Sequence, residues 1–288
     1  NKQDINDYYP EVLHSVIYNG RYYGLPFCSN NVALYYNKDL FKKAGLEPPK
    51  TWDEFKEAAY ILTDEDTYGF AMCAMNSEEG AFQFLPWILS TGATIETIGD
   101  QNAFRAYKIL QELISMGALS GECINWTQID VARKFIAGEA AMMENGPWVL
   151  PMVIESGINF GIVELPIDVQ RVSVLGGENL AIIKGKNVAG AIAFLDYYRQ
   201  EDVMLEICRT SHAIPPKRTL SNKTFGNDSL YSVFINQMEY GISRSSYRSW
   251  KKVSNIINES SYNLIVEGLS VQEICNDISK KLKKLNKK

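Results

Sequence analysis

Histidine is almost missing from this 288-residue chain, which carries only His14 and His212. They stand far apart without the HxxxH spacing of a metal helix. A His-centred nucleophilic triad or zinc site is therefore poorly supported. Neither GxxxxGK[ST], GxGxxG nor GxSxG occurs, so the standard phosphate cradles and the hydrolase elbow are excluded. The five cysteines (Cys28, Cys73, Cys123, Cys208 and Cys275) are odd in number, widely spaced and free of CxxC, which argues against a disulfide framework. No apolar run approaches the roughly 18 residues of a membrane span. Excess positive charge is lacking too: the net charge is -5, unsuited to nucleic acid as the main partner. The lysines of the terminal KKLKKLNKK read as a solvated helix end. Asn1 stands where a Met would open a gene product. We expect a processed or truncated start, so the missing leader carries no weight.

What is present is an ordinary globular composition, 46% apolar and 22% charged, in a length suited to about two domains. Residues 16–36 read as two short strands around a turn. Thr51 and Glu54 form a capping box for a helix with Trp52, Phe55, Ala59 and Leu62 on one face. Further helices are predicted at 81–90, 101–116, 127–136, 187–199, 202–210, 228–239, 246–267 and 270–285. The last has a clean stripe of Val271, Ile274, Ile278, Leu282 and Leu285. Strands are predicted at 66–74, 140–144, 159–165, 172–175 and 179–184. Gly146-Pro147-Trp148 reads as a helix start, since Pro is favoured at the first helical position. Alternating strands and helices, then a helical final third, give an α/β fold class.

The acidic residues near predicted strand ends are Glu139, Glu144, Glu164, Asp168 and Glu178. Nothing singles out two of them as an acid–base pair, and the chain reads as no enzyme. More telling is a recurrent pairing of polar groups with aromatics or glycines: FCSNN (27–31), EEGAFQF (78–84), NGPW (145–148), GGEN (176–179) and YRSW (247–250). Rings that cover C–H faces beside amides and hydroxyls suit a ligand that is polar at its rim and apolar on its flats, as a sugar is.

The order GRYYGLP, LYYNKDLFKKAGLEPPKTWDEF, FIAGEAAMMENGPWVLP, GGENLAIIKGKNVAGAIAFLDYY and AIPPKRT resembles the family 1 extracellular solute-binding proteins, the capture components of ABC sugar importers. The resemblance implies a two-lobe, type II periplasmic-binding-protein-like fold, closing by hinge motion on a carbohydrate. It implies crossovers near Ser29–Ala33, Val174–Gly177 and 220–228. Residues 1–30 and 178–222 would form the N-terminal lobe, and 33–175 with 228–288 the C-terminal lobe. Segments that precede DYYPEVL in the family have no counterpart, so the N-terminal lobe is expected to be incomplete.

The resemblance also places Trp148 on the C-terminal-lobe wall of the cleft, stacked on the ligand ring. It names Phe82 and Gln83, then Trp250 with Tyr247, as further contacts. Asn30 and Asn31 match a polar hinge position, and Gly176, Gly177 and Glu178 a hinge loop near the ligand. The implied partners are a carbohydrate and the membrane permease subunits of an ABC transporter. No nucleic acid, cofactor or metal is implied. The implied state is an extracellular monomer tethered to the membrane by a lipid whose anchor is not in this sequence, or else a periplasmic one. Two alternatives stay open: a non-sugar solute such as a peptide, polyamine or phosphorylated compound, and a carbohydrate-acting enzyme.

Overall fold

Residue pairing in the computed structural model follows turn and cap chemistry that is visible locally. The structure describes residues 5–285, apart from 186, 226–227, 245–246 and 248. Arg248 of YRSW and the last three residues of the lysine cluster thus lie outside the described residues. The strands are β1 (Ile17–Tyr18), β2 (Arg21–Tyr22), β3 (Leu25–Asn30), β4 (Ala33–Asn37), β5 (Met142–Asn145), β6 (Phe160–Val163), β7 (Ser173–Leu180) and β8 (Gly241–Ser243). The helices in the first half are α1 (Pro10–His14), α2 (Lys38–Ala44), α3 (Trp52–Ile61), α4 (Glu78–Ser90), α5 (Phe104–Ser115) and α6 (Gln128–Ile136). They continue with α7 (Leu150–Glu155), α8 (Val188–Tyr198), α9 (Glu201–Ser211), α10 (Arg218–Phe225), α11 (Ser229–Gln237), α12 (Trp250–Ile265) and α13 (Val271–Leu285).

The chain divides by contact into two units. The first comprises Asn1–Asn31, Gly146–Leu150 and Ser173–Ser246; the second comprises Val32–Asn145, Pro151–Val172 and Tyr247–Lys288. The first unit is built on a sheet of order β3-β7-β8. β3 runs antiparallel to β7, with Leu25 opposite Leu180 and Asn30 opposite Gly176, while β8 runs parallel to Ser173–Leu175. Its core gathers Cys28, Tyr198, Met204, Leu205, Cys208 and Leu220. The second unit is built on the antiparallel sheet β5-β4-β6. Ala33, Leu34 and Tyr35 of central β4 are all buried, as both faces of that strand are covered.

Several predicted elements appear with trimmed ends. The capping box at Thr51 is complete: Thr51 Oγ1 accepts from Glu54 N, and Glu54 Oε2 accepts from Thr51 N. Thr127 and Asp130 cap α6 in the same way, a second box absent from the sequence reading. Residues 16–36 hold four strands instead of two, because Asn19-Gly20, both at positive φ, turn a tight β1–β2 hairpin ahead of β3. The strand expected at 66–74 shrinks to two isolated parallel bridges, Tyr68 to Ala140 and Ala71 to Met143. The two strands expected at 172–175 and 179–184 merge into β7, and Ala181–Ile183 leave regular pairing.

The domain expectation also shifts. Residues 229–243 were expected in the second lobe and group instead with the first unit. The cause is pairing that no local pattern reveals: β8 adds to β7, and α11 is tied to the end of β3. Asn31 Nδ2 donates to Phe234 O (2.9 Å), and Gln237 Nε2 donates to Asn31 Oδ1 (3.1 Å).

Candidate ligand-binding site

Trp148 owes its position to the turn before it. β5 ends at Asn145, and Pro147–Val149 form a short 3-10 turn that opens into α7. Pro151 falls in the first turn of α7, where a missing N–H does no harm. The Trp148 ring lies against Gly146, and a Cβ at that position would overlap the indole. Glycine is required there by close approach and not by backbone angle, since its φ is -100°. Trp148 is half-buried. It groups with the first unit, whereas the resemblance placed it on the C-terminal lobe.

The strand pair β3–β7 carries the remaining first-unit candidates. Gly177 has φ +114°, and a Cβ there would overlap the carbonyl of Cys28, so only glycine lets the two strands meet. Gly176 O accepts from Ser29 Oγ (3.0 Å). Exposed Glu178 accepts from Cys28 Sγ (2.7 Å). That carboxylate, with burial, pushes the Cys28 thiol far above its ordinary range, with burial the larger cause. Asn30 sits half-buried at the end of β3. Asn31 is fully buried, with its amide engaged on Phe234 and Gln237. It locks the strand end and has no face for a ligand.

In the second unit, α4 was expected to offer Phe82 and Gln83. Both are inside. Gln83 is 0% exposed, and its amide bridges three segments: Oε1 accepts from Cys73 N (2.5 Å) and Nε2 donates to Glu144 O (3.0 Å). Phe82 is 5% exposed. The structure therefore corrects these two residues to supports of β5, because an apolar helix buried on every side leaves them nowhere else to point.

Tyr247 and Trp250 stay half-buried at the start of α12. Trp250 N donates to Tyr247 O (2.9 Å). Glu78, at the start of α4, orients the Trp250 ring: its carboxylate accepts from Trp250 Nε1 (2.7 Å) and Ser254 Oγ (2.6 Å). Asn258 Nδ2 donates to Ser77 O (2.8 Å) one turn further along α12. Sequence reasoning quoted EEGAFQF without singling out Glu78. Its partners lie 172 and 176 residues away, so no spacing rule could have linked them.

Two of the carboxylates near predicted strand ends are engaged inside the second unit. Glu144 is fully buried and accepts from Trp87 Nε1 (2.7 Å), while its other oxygen has no hydrogen-bond partner. Burial holds its carboxyl well above the usual range, so it stays neutral inside the unit. Asp168 is bound to Arg105 (2.7 Å). Among the described residues, no cluster of His, Cys, Asp or Glu could hold a metal, and the five cysteines are free and buried. Among the described residues, no helix is long and apolar enough to cross a membrane.

Known proteins agree with this architecture. The chain superimposes on a solute-binding protein of an ABC transporter from Thermotoga lettingae, bound with α-D-tagatose, with TM-score 0.85 and 23% identity, over 97% of this chain and 77% of that one. A maltose-bound MalE3 from T. maritima gives TM-score 0.85 at 22% identity, over 98% and 77%. These likenesses establish the type II periplasmic-binding-protein fold. In sequence, a Brucella abortus binding protein is 28% identical over 217 residues, 70% of this chain and 53% of its own length. A Pyrococcus abyssi maltotriose-binding protein is 31% identical over 54% of this chain and 34% of its own length. The chain thus spans about half the length, or less, of these curated relatives. Residues 1–229 match the family described as bacterial extracellular solute-binding protein. With that match over most of its length and this fold throughout, the chain belongs to the bacterial extracellular solute-binding proteins.

Proposed function

We propose that this chain is the substrate-capturing part of an ABC importer and that its ligand is a sugar or oligosaccharide. Trp148 carries the reading. It is a half-buried indole seated on Gly146, where a Cβ would overlap the ring, just after a strand end. Such a ring offers an apolar face for the C–H side of a pyranose. In the second unit, Trp250 and Tyr247 form another aromatic pair, which Glu78 orients. Asn30, Gly176, Gly177 and Glu178 are the proposed polar contacts in the first unit. Relatives whose names record maltotriose, maltose and tagatose support the carbohydrate class. The partners would be permease subunits in the membrane. The protein would act outside the cytoplasm as a lipid-tethered monomer, and no turnover is expected of it.

A second reading has its own support. A protein from Rhizobium meliloti that binds sn-glycerol 3-phosphate is 26% identical over 68% of this chain. One thermal-shift series decides between them, because a ligand that binds only the folded state raises the melting midpoint. Maltose, maltotriose and tagatose should raise it, and sn-glycerol 3-phosphate should not. A shift with the phosphate compound alone would replace the sugar reading with the second one.

A further inference from the structure

Five lysines gather at one end of the α12–α13 pair in the second unit. The two helices pack together across a short connection, and so run antiparallel. Lys281 Nζ donates to Glu259 Oε2 between them (2.5 Å). Past that bond α12 runs back to Trp250 and α13 runs on to Leu285, so the first turns of one lie beside the last turns of the other. Lys252 is two turns from Glu259 on the same exposed face, with exposed Asn255 between them, and Lys284 is one turn beyond Lys281. Lys251, Lys252, Lys280, Lys283 and Lys284 are all exposed, and among the described residues none has an ion-pair partner. No acidic residue occurs in 250–258 or 278–285. The chain as a whole carries -5, so this end stands against the charge of the rest.

Helix stability does not ask for all of this charge. Lys280, Lys283 and Lys284 suit the negative end of the α13 dipole. Lys251 and Lys252 do the opposite, because they stand in the first turn of α12, where the dipole is positive and no acid offsets them. A residue that breaks a local rule points to a role outside folding. We propose that this end of the second unit is a docking surface for an anionic lipid membrane. Two features of the patch select that partner. Its cations are lysines without an arginine, and a lysine point charge suits a diffuse anionic surface, whereas the planar arginine fork suits single phosphates and nucleic acid. The apolar stripe of α13 is buried, so the helix keeps no face for insertion and the attraction is electrostatic alone. One lipid chain by itself holds a protein marginally, and a basic patch is the second contact that makes such an anchor stable. The patch stands on its own charges, whichever ligand is captured and whether or not the proposed tether exists.

The test is co-sedimentation of the full, lipid-free chain with vesicles. At about 50 mM salt, vesicles of equal phosphatidylglycerol and phosphatidylcholine should pellet about tenfold more protein than phosphatidylcholine alone, and about 0.5 M salt should release it. Replacing all five lysines (Lys251→Gln, Lys252→Gln, Lys280→Gln, Lys283→Gln and Lys284→Gln) should abolish that preference. The melting midpoint should stay within about 2 °C, because the side chains are exposed. The two α12 replacements alone, or the three on α13 alone, should each give a partial loss. Lys42→Gln with Lys43→Gln, equally exposed on α2, should change nothing. The proposal is overturned by equal sedimentation with both kinds of vesicle, by binding that survives the five replacements, or by a loss of the same size from the α2 pair. An RNA homopolymer retained at salt that releases the vesicles would also overturn it, and give the patch to nucleic acid.

Discussion

Helices α13 and α8 are both rich in apolar residues, and they meet opposite fates. In α13, Val271, Ile274, Ile278 and Leu282 form one stripe, and each is 5% exposed or less. Its lysines take the other face, with Lys281 paired to Glu259 and Asp277, and Ser279 Oγ donates to Gly99 O (2.9 Å). In α8 the apolar residues lie on every side, and most of them meet solvent. The stripe tells a helix how much of itself to hide, and the second unit supplies a partner of that width. Apolar character on all sides asks for cover on all sides, which the described part of the first unit does not supply.

The comparison can be broken at its covered end. Removing residues 270–288 deletes, besides Cys275, four buried aliphatic side chains worth about 6–12 kcal/mol by transfer, before entropy is subtracted. Circular dichroism should then show loss of the cooperative melt of the second unit. A soluble truncation that melts in one sharp step would show that α13 is dispensable. At single-residue scale, Ile278→Ala should cost about 2–5 kcal/mol in urea unfolding. In the same 288-residue chain, Ile192→Ala on α8 should cost less than about 1 kcal/mol, as its side chain has little packing to lose. Equal costs would erase the difference between the two helices.

Trp148 tests an intermediate degree of cover. Trp148→Ala should weaken sugar binding by about 2–4 kcal/mol, roughly 30–1,000-fold, as measured by titration calorimetry. Folding stability should change by less than the roughly 3–5 kcal/mol expected of a fully buried tryptophan. Lost stability with unchanged affinity would return the ring to the core.

Glu144 is the fully covered extreme, and its effect is a slope. Burial raises its folded pKa, so above the unfolded value of about 4.3 the native state holds a proton that the unfolded chain releases. Its contribution is complete below that pH and falls as pH rises toward the folded pKa, by at most about 1.4 kcal/mol per unit. Wild type should therefore lose stability relative to Glu144→Gln, which binds no proton at this site, as pH rises above the unfolded value. Parallel urea midpoints for the two proteins above that value would contradict a buried neutral acid.

Much of the secondary structure was legible in the sequence because its causes lie within a few residues. The Thr51 box, the α13 stripe and the Gly-Pro launch of Trp148 each involve neighbours no more than four positions apart. The strand at 66–74 was misjudged because alternation cannot say whether a ladder partner exists. At the site, the half-buried aromatics Trp148 and Trp250 were legible as residue types. Gln83 and Asn31 were not, since an amide engaged in a core and an amide facing a ligand are the same letter in a sequence. Caps, turns and stripes are local free energies, so the sequence by itself determined helices such as α3, α6 and α13, whereas α1, α2 and α10 were not read from it. The tertiary structure alone decided that β8 would pair with β7, that Glu78 would orient Trp250, and that α8 would stay bare. Those outcomes join residues far apart in the chain, or depend on a partner's presence, and only the folded path brings such groups within the few ångströms over which hydrogen bonds and packing act.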